Sequence, residues 1–131
     1  MAELNHLIVP AKDKDVSAAF LADLLGVEPE KQWGHFRPVK TRNGVTLDFV
    51  TSSDVRTQHY AFLVSDAEFD SAFAKIKKAG IPFYGYPNKS SPGEINTLYG
   101  GRGVYFEDPS GHLLELITTP YGDPPAGPGN S

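Results

Sequence analysis

Four residues could do chemistry together: His6, Asp48, His59 and Glu115. Their surroundings repeat. His6 stands 13 residues before the pair Ala19-Phe20 (19 minus 6), and His59 stands 13 before Ala72-Phe73 (72 minus 59). The segment Thr46 to Ser52 (TLDFVTS) lies over Leu113 to Thr119 (LLELITT), which superposes Asp48 on Glu115. A carboxylate is depleted inside strands and costly to bury unpaired, so two of them at matching places in apolar runs need a reason. Two imidazoles and two carboxylates turned into one cavity would repel or lose solvation unless a cation joined them. A divalent metal removes that penalty and keeps open positions for a substrate. The chain has no cysteine, so thiolate ligands are excluded and Zn, Mn, Fe(II) and Ni all suit the remaining donors.

Each residue alone has a plainer explanation. A strand histidine is more often a hydrogen-bonded structural residue than a ligand, and a carboxylate on an antiparallel strand often faces water. Recurrence of the same two residue types at equivalent places favours the joint site. His112, beside the turn glycine Gly111, reads as structural. His35 has no histidine counterpart in the second half and is left out of the set.

The elements that must carry these residues follow from the apolar periodicity. Leu4 to Val9 reads as a buried strand. Asp15 is the expected cap of a helix placing Val16, Ala19, Phe20 and Leu24 on one face and ending near Gly26. Strands are expected at Lys31 to Trp33, Phe36 to Lys40 and Val45 to Thr51, the last two joined by a two-residue turn at Asn43-Gly44. The order then repeats. His59 to Val64 is a strand, and Ser65 with Glu68 forms a capping box for a helix burying Phe69, Ala72, Phe73 and Ile76, stopped by Gly80 and Pro82. Strands near Pro82 to Tyr86, Gly103 to Glu107 and Leu113 to Thr118 complete the second half. In the last pair, Asp108-Pro109-Ser110-Gly111 has proline at the second and glycine at the fourth turn position, so the chain reverses there.

This is an α+β pattern of two tandem βαβββ modules, about 1–53 and 56–121, forming one domain with helices outside a curved mixed sheet around a cavity. Alternation in the strands puts Asp48 and Glu115 on the face away from the helices. The histidines are 53 residues apart (59 minus 6) and the carboxylates 67 apart (115 minus 48), so the second module carries an insertion. Most of it falls between Tyr86 and Gly101, in a loop free to cover a site.

With 131 residues, the chain has room for one domain, and the stretch 122–131, rich in Pro and Gly, reads as a flexible tail. Charged residues make up 21% and the net charge is -4, with basic residues scattered, which argues against nucleic acid as a partner. The start MAELNHLIVPAKDKD lacks a basic leader and a long apolar run, so no membrane role and a cytoplasmic location are expected.

From LNHLIV to LLELIT, and most specifically in VYFEDPSGHLLEL, the chain resembles the vicinal oxygen chelate superfamily. That group includes glyoxalase I, extradiol dioxygenases, fosfomycin-resistance thiol transferases, methylmalonyl-CoA epimerase and bleomycin-resistance binding proteins. The resemblance implies that His6, His59 and Glu115 match three metal-ligand positions and Asp48 the fourth, and it implies a homodimer, with modules exchanged between chains as one arrangement. The further histidine of the extradiol dioxygenases has no counterpart around Asn96, Thr97 and Leu98, which demotes oxygenase chemistry. Asn96 to Gly100 resembles the loop of the fosfomycin transferases, but the segment after Glu115 departs from theirs. Bleomycin binders usually lack the histidines, so a metal-free drug-binding role ranks lower.

The expectation is a glyoxalase-like lyase or isomerase acting on a small substrate with adjacent oxygens. The metal acts as Lewis acid, and Glu115 or Asp48 moves the proton. Arg37, Arg102 and Lys89 are candidates for holding an anionic substrate, and Trp33, Tyr84, Tyr99 and Tyr105 for lining the cavity.

Overall fold

The structure, a computed structural model, describes residues 1–120; the expected tail lies outside the described residues. The chain divides into two compact units, Met1–Thr57 with Asp108–Gly111, and Gln58–Glu107 with the described residues from His112 onward. The described residues form the α+β class expected, with two α-helices and two mixed sheets of three and four strands.

In the first unit, β1 (His6–Ala11) is followed by α1 (Lys14–Leu25), β2 (Phe36–Lys40) and β3 (Thr46–Thr51), in the sheet order β1-β3-β2. β1 runs parallel to β3, and β2 antiparallel to it. The cap of α1 is Asp13 rather than Asp15: its carboxylate accepts from the backbone N–H groups of Asp15 and Val16, while Asp15 lies in the first turn, where its charge suits the helix dipole. Gly26, at φ 72°, ends the helix in the left-handed conformation that glycine adopts without cost.

The buried face of α1 is Ser17, Ala18, Leu21, Ala22 and Leu24. Val16 and Ala19, expected inside, are exposed, and Phe20 is half-buried. The two alanines present little bulk, so the helix can approach the sheet residues Val9, Ala11, Val39, Leu47 and Phe49, all buried.

Two local expectations are corrected. Lys31 to Trp33 is not a strand: Trp33 forms a single bridge with Phe36 across a turn in which Gly34 takes φ 59°. That glycine reverses the chain before a ladder can develop. Asn43-Gly44 does not form the expected two-residue turn. Gly44 N–H donates to Thr41 O at 3.0 Å and Thr41 N–H to Val45 O at 2.8 Å, while Gly44 has φ 86° and Asn43 does not share the positive value. The Thr41 hydroxyl donates to Asn43 Oδ1 at 2.6 Å and competes for the turn.

In the second unit, β4 (His59–Leu63), α2 (Asp66–Lys78), β5 (Phe83–Tyr84), β6 (Gly103–Glu107) and β7 (Leu113–Ile117) give the order β4-β7-β6-β5. The capping box is present: Ser65 N–H donates to Glu68 Oε1 at 2.7 Å, and Glu68 N–H to Ser65 Oγ at 3.1 Å. α2 buries Phe69, Ala72 and Ile76, and Phe73 is half-buried with its ring edge-on to Phe83. β6 and β7 pair antiparallel through the expected Asp108–Gly111 turn, closed by Gly111 N–H donating to Asp108 O at 3.0 Å.

Between β5 and β6 the chain folds back on itself. Gly85 N–H donates to Ser91 O, and the Asn96 side chain closes the base by donating to Gly85 O at 2.8 Å and accepting from Leu98 N–H at 3.1 Å. A Cβ on Gly103 would meet the Asn96 amide at 2.8 Å, so a larger residue where β6 begins would push that amide from its hydrogen bonds. Among the described residues no helix is long and apolar enough to cross a membrane.

Candidate functional site

The two sheets present the four candidates in the same way. In the first unit His6 pairs with Thr46 in the parallel ladder, and Asp48 lies two residues further along β3. In the second, His59 pairs with Leu113, and Glu115 lies two residues further along β7. Since strand side chains alternate, each histidine shares a sheet face with its carboxylate. That face is opposite the buried residues Leu47 and Phe49 in one unit and Leu114 and Leu116 in the other. The antiparallel neighbours of the two carboxylates are Pro38 for Asp48 and Tyr105 for Glu115.

The second unit brings its pair into direct contact. His59 Nε2 lies 3.0 Å from Glu115 Oε1, and a carboxylate can only accept, so the Nε2 proton donates. Glu115 is 3% exposed, whereas the His59 side chain is 44% exposed. The buried carboxylate thus has one specific partner whose other side is open. Tyr105, 2% exposed, packs its ring 5.7 Å from the His59 ring. In the first unit the His6 ring is exposed, with Nδ1 2.6 Å from Asn5 Oδ1, and Asp48 is half-buried.

The donors suit a divalent ion. Two ligand atoms on neighbouring positions of one ion with bonds of about 2.0–2.1 Å lie about 2.9–3.4 Å apart, and the 3.0 Å between His59 Nε2 and Glu115 Oε1 falls within that range. Among the described residues, no group of three or more His, Asp or Glu side chains is placed to hold one ion. Each unit carries one histidine and one carboxylate of the four expected ligands.

The other candidates are placed differently. Arg102 donates to Asp70 Oδ1 at 2.7 Å and Asp66 Oδ1 at 3.0 Å, with its guanidinium over the Phe69 ring. These hydrogen bonds and charges raise its pKa, and its charge is engaged on α2 rather than on the Glu115 face. Arg37 pairs with Phe49 in the ladder and shares the helix-side face, opposite Asp48. Lys89, at φ 64°, reaches Glu107 Oε2 at 2.7 Å; that hydrogen bond raises its pKa, reinforced by the charge of Glu107. Glu107 lies on the same face of β6 as Tyr105, so Lys89 does border the Glu115 face. Tyr84 pairs with Tyr105 and shares that face too.

Trp33 is 70% exposed and stacks at 6.1 Å on Phe36, which pairs with Val50 on the Asp48 face. Tyr99 is half-buried in a single 3₁₀ turn, Leu98–Gly100. His112 is fully buried and accepts from Gln58 N–H through Nδ1 at 2.9 Å, a structural bond. The contacts of Asn5 with His6 and of Glu107 with Lys89 had no signal in residue spacing, because both depend on where a side chain of one strand end or loop turns.

Comparison with known proteins adds an independent line. The model of the Glyoxalase/Bleomycin resistance protein/Dioxygenase superfamily matches residues 3–116. Among solved structures, the chain is similar to Oxidase ChaP-H2, with 53% identity, a TM-score of 0.90, and coverage of 92% of this chain and 96% of that one. Oxidase ChaP-H1 is similar at 54% identity with the same TM-score, over 93% of this chain and 99% of the other. Glutathione transferase FosA of Serratia marcescens is 28% identical over 123 residues, covering 88% of this chain and 80% of the relative.

Proposed function

This chain belongs to the glyoxalase/bleomycin resistance protein/dioxygenase superfamily, and from that premise we propose that it is a metal-dependent oxidase acting on a small substrate with adjacent oxygens. The observation that carries the reaction class is the 53–54% identity, over nearly the whole chain, to two proteins described as oxidases. An oxidase passes electrons from its substrate to dioxygen. This raises oxygen chemistry above the rank that the missing histidine near Asn96 gave it. The ligands in this reading are His6, Asp48, His59 and Glu115, with the two half-sites meeting where two copies of the chain exchange modules. The equal ladder positions of the two histidine–carboxylate pairs support it.

A bound divalent ion would supply Lewis acidity toward the adjacent oxygens and, if redox-active, a route for electrons. The chain's own groups do the rest. Glu115, buried and hydrogen-bonded, accepts or returns the substrate proton. Tyr105 borders it with an aromatic face, and Lys89 and Tyr84 edge the same face.

The glyoxalase-like lyase or isomerase chemistry expected from the residues alone would use the same groups without net oxidation. Thiol addition to fosfomycin is the second reading, favoured by the similarity to FosA.

The test is to reconstitute the protein separately with Fe(II), Mn(II), Ni(II) and Zn(II). Oxygen uptake is then followed with a panel of diphenols and hydroxyketones, and thiol consumption with fosfomycin and glutathione. We expect oxygen uptake with Fe(II) or Mn(II), none with Zn(II), and loss of uptake in Glu115→Gln. Thiol consumption with fosfomycin and no oxygen uptake under any metal would replace this reading with the second.

A further inference from the structure

We propose that Asn5 is the positioning residue of His6: it selects the tautomer in which Nδ1 carries the proton and so leaves the Nε2 lone pair free for a metal. The inference rests on the reading of His6 as a ligand and goes beyond it by assigning a second residue to that half of the site. Its basis is one short contact. His6 Nδ1 lies 2.6 Å from Asn5 Oδ1. With the carbonyl oxygen of the amide at that position, the imidazole must donate, since a bare Nδ1 lone pair would face another lone pair. Which nitrogen of a histidine is free to bind a metal is set by the hydrogen bond the other one makes, and an oxygen partner for that second nitrogen is a recurring feature of metal-bound histidines.

Asn5 is itself held in place. Its backbone carbonyl accepts from Thr46 N–H at 2.9 Å, extending the β1–β3 ladder by one bond beyond the His6–Thr46 pair. The amide is therefore presented from fixed backbone rather than from a free chain end. The duplicated module has the same construction with a different outcome. Gln58, also an amide, precedes His59, and its carbonyl accepts from Leu113 N–H at 2.9 Å. There, however, Nε2 of the histidine is already turned to Glu115. Among the described residues no carboxylate is hydrogen-bonded to His6, and Asn5 supplies the orientation from the other side of the ring.

Two measurements on the full chain test this. Nitrogen-15 spectra of the imidazoles in metal-free protein, at a pH where His6 is neutral, read the tautomer directly. Wild type should show the proton on Nδ1 of His6, and Asn5→Asp should retain it because a carboxylate accepts the same proton. Asn5→Ala should move His6 toward the Nε2-protonated form that neutral imidazole favours in water. Zinc titration of the same three proteins should show about tenfold or greater weakening in Asn5→Ala and recovery in Asn5→Asp.

A wild-type His6 protonated on Nε2 overturns the inference. So does an Asn5→Ala protein that binds zinc as wild type while His6→Ala does not, and in that case the ligand reading survives. If His6→Ala itself leaves zinc affinity unchanged, the ligand reading falls and this inference falls with it.

Discussion

Glu115 sits in the apolar strand β7, almost entirely removed from water, with the proton of His59 Nε2 as its partner. A buried carboxylate with one hydrogen bond is an expensive arrangement, and a polar network of this kind stands only if its members are satisfied. Replacing it with glutamine separates the roles. An amide oxygen still accepts from His59, so Glu115→Gln should unfold within about 1 kcal/mol of wild type by thermal or denaturant melting. Zinc affinity in the same protein should fall by about tenfold or more, because the anionic donor is gone. A loss of several kcal/mol in stability with metal binding intact would make Glu115 a structural residue. At this scale the sequence was informative where residue type recurred: the matching pairs His6/Asp48 and His59/Glu115 were legible in the letters. It was silent on the contacts of Asn5 with His6 and of Glu107 with Lys89, which depend on side-chain rotamers that no spacing encodes.

Among the elements, legibility followed how strongly one pattern excluded others. The Ser65–Glu68 box and the Asp108–Gly111 turn each combine several residues with one geometric outcome, and both formed as expected. The first helix is apolar on more than one side (VSAAFLADLL), so periodicity alone could not choose its buried face. Tertiary packing chose the side with Ala18 and Ala22. At Asn43-Gly44 a common turn signal gave way to the hydroxyl of Thr41, a residue outside the dipeptide.

The loop after β5 yields a prediction at the same scale. Lys89 holds it to Glu107, and that hydrogen bond raises the lysine pKa above 10.5. A lysine raised in the folded state contributes stability that is fully present below its unfolded value and lost as pH rises through the folded one. The gap in unfolding temperature between wild type and Lys89→Met should therefore be constant from neutral pH to about 10 and close at higher pH. Both partners are half-exposed, so added salt should narrow the gap as well. A gap that persists unchanged above the lysine titration would assign the effect to packing of the lysine stem.

For the whole molecule, the central claim is that one metal site draws His6 and Asp48 from one copy and His59 and Glu115 from another. Within each described unit the sheet face carrying these residues also exposes large apolar side chains, Ile8 at 58% in the first and Leu63 at 53% in the second. Exposed apolar residues on a sheet face suit burial against a further chain, and a two-fold pair of copies would reuse both halves symmetrically. The duplication was visible in the sequence because it left residue types in register. Whether the halves close within a chain or between chains was not, since both solutions satisfy the same pattern of faces.

The most direct measurement mixes two defective proteins. His6→Ala and His59→Ala are each purified without metal, combined, unfolded and refolded together, and assayed for bound zinc after removal of free metal. Either protein alone should hold little. If sites form between copies, each mixed dimer rebuilds one intact site and one doubly defective site, and random pairing should restore about a quarter of the wild-type zinc. If each site is formed within a single chain, mixing restores nothing, and that result would contradict the account.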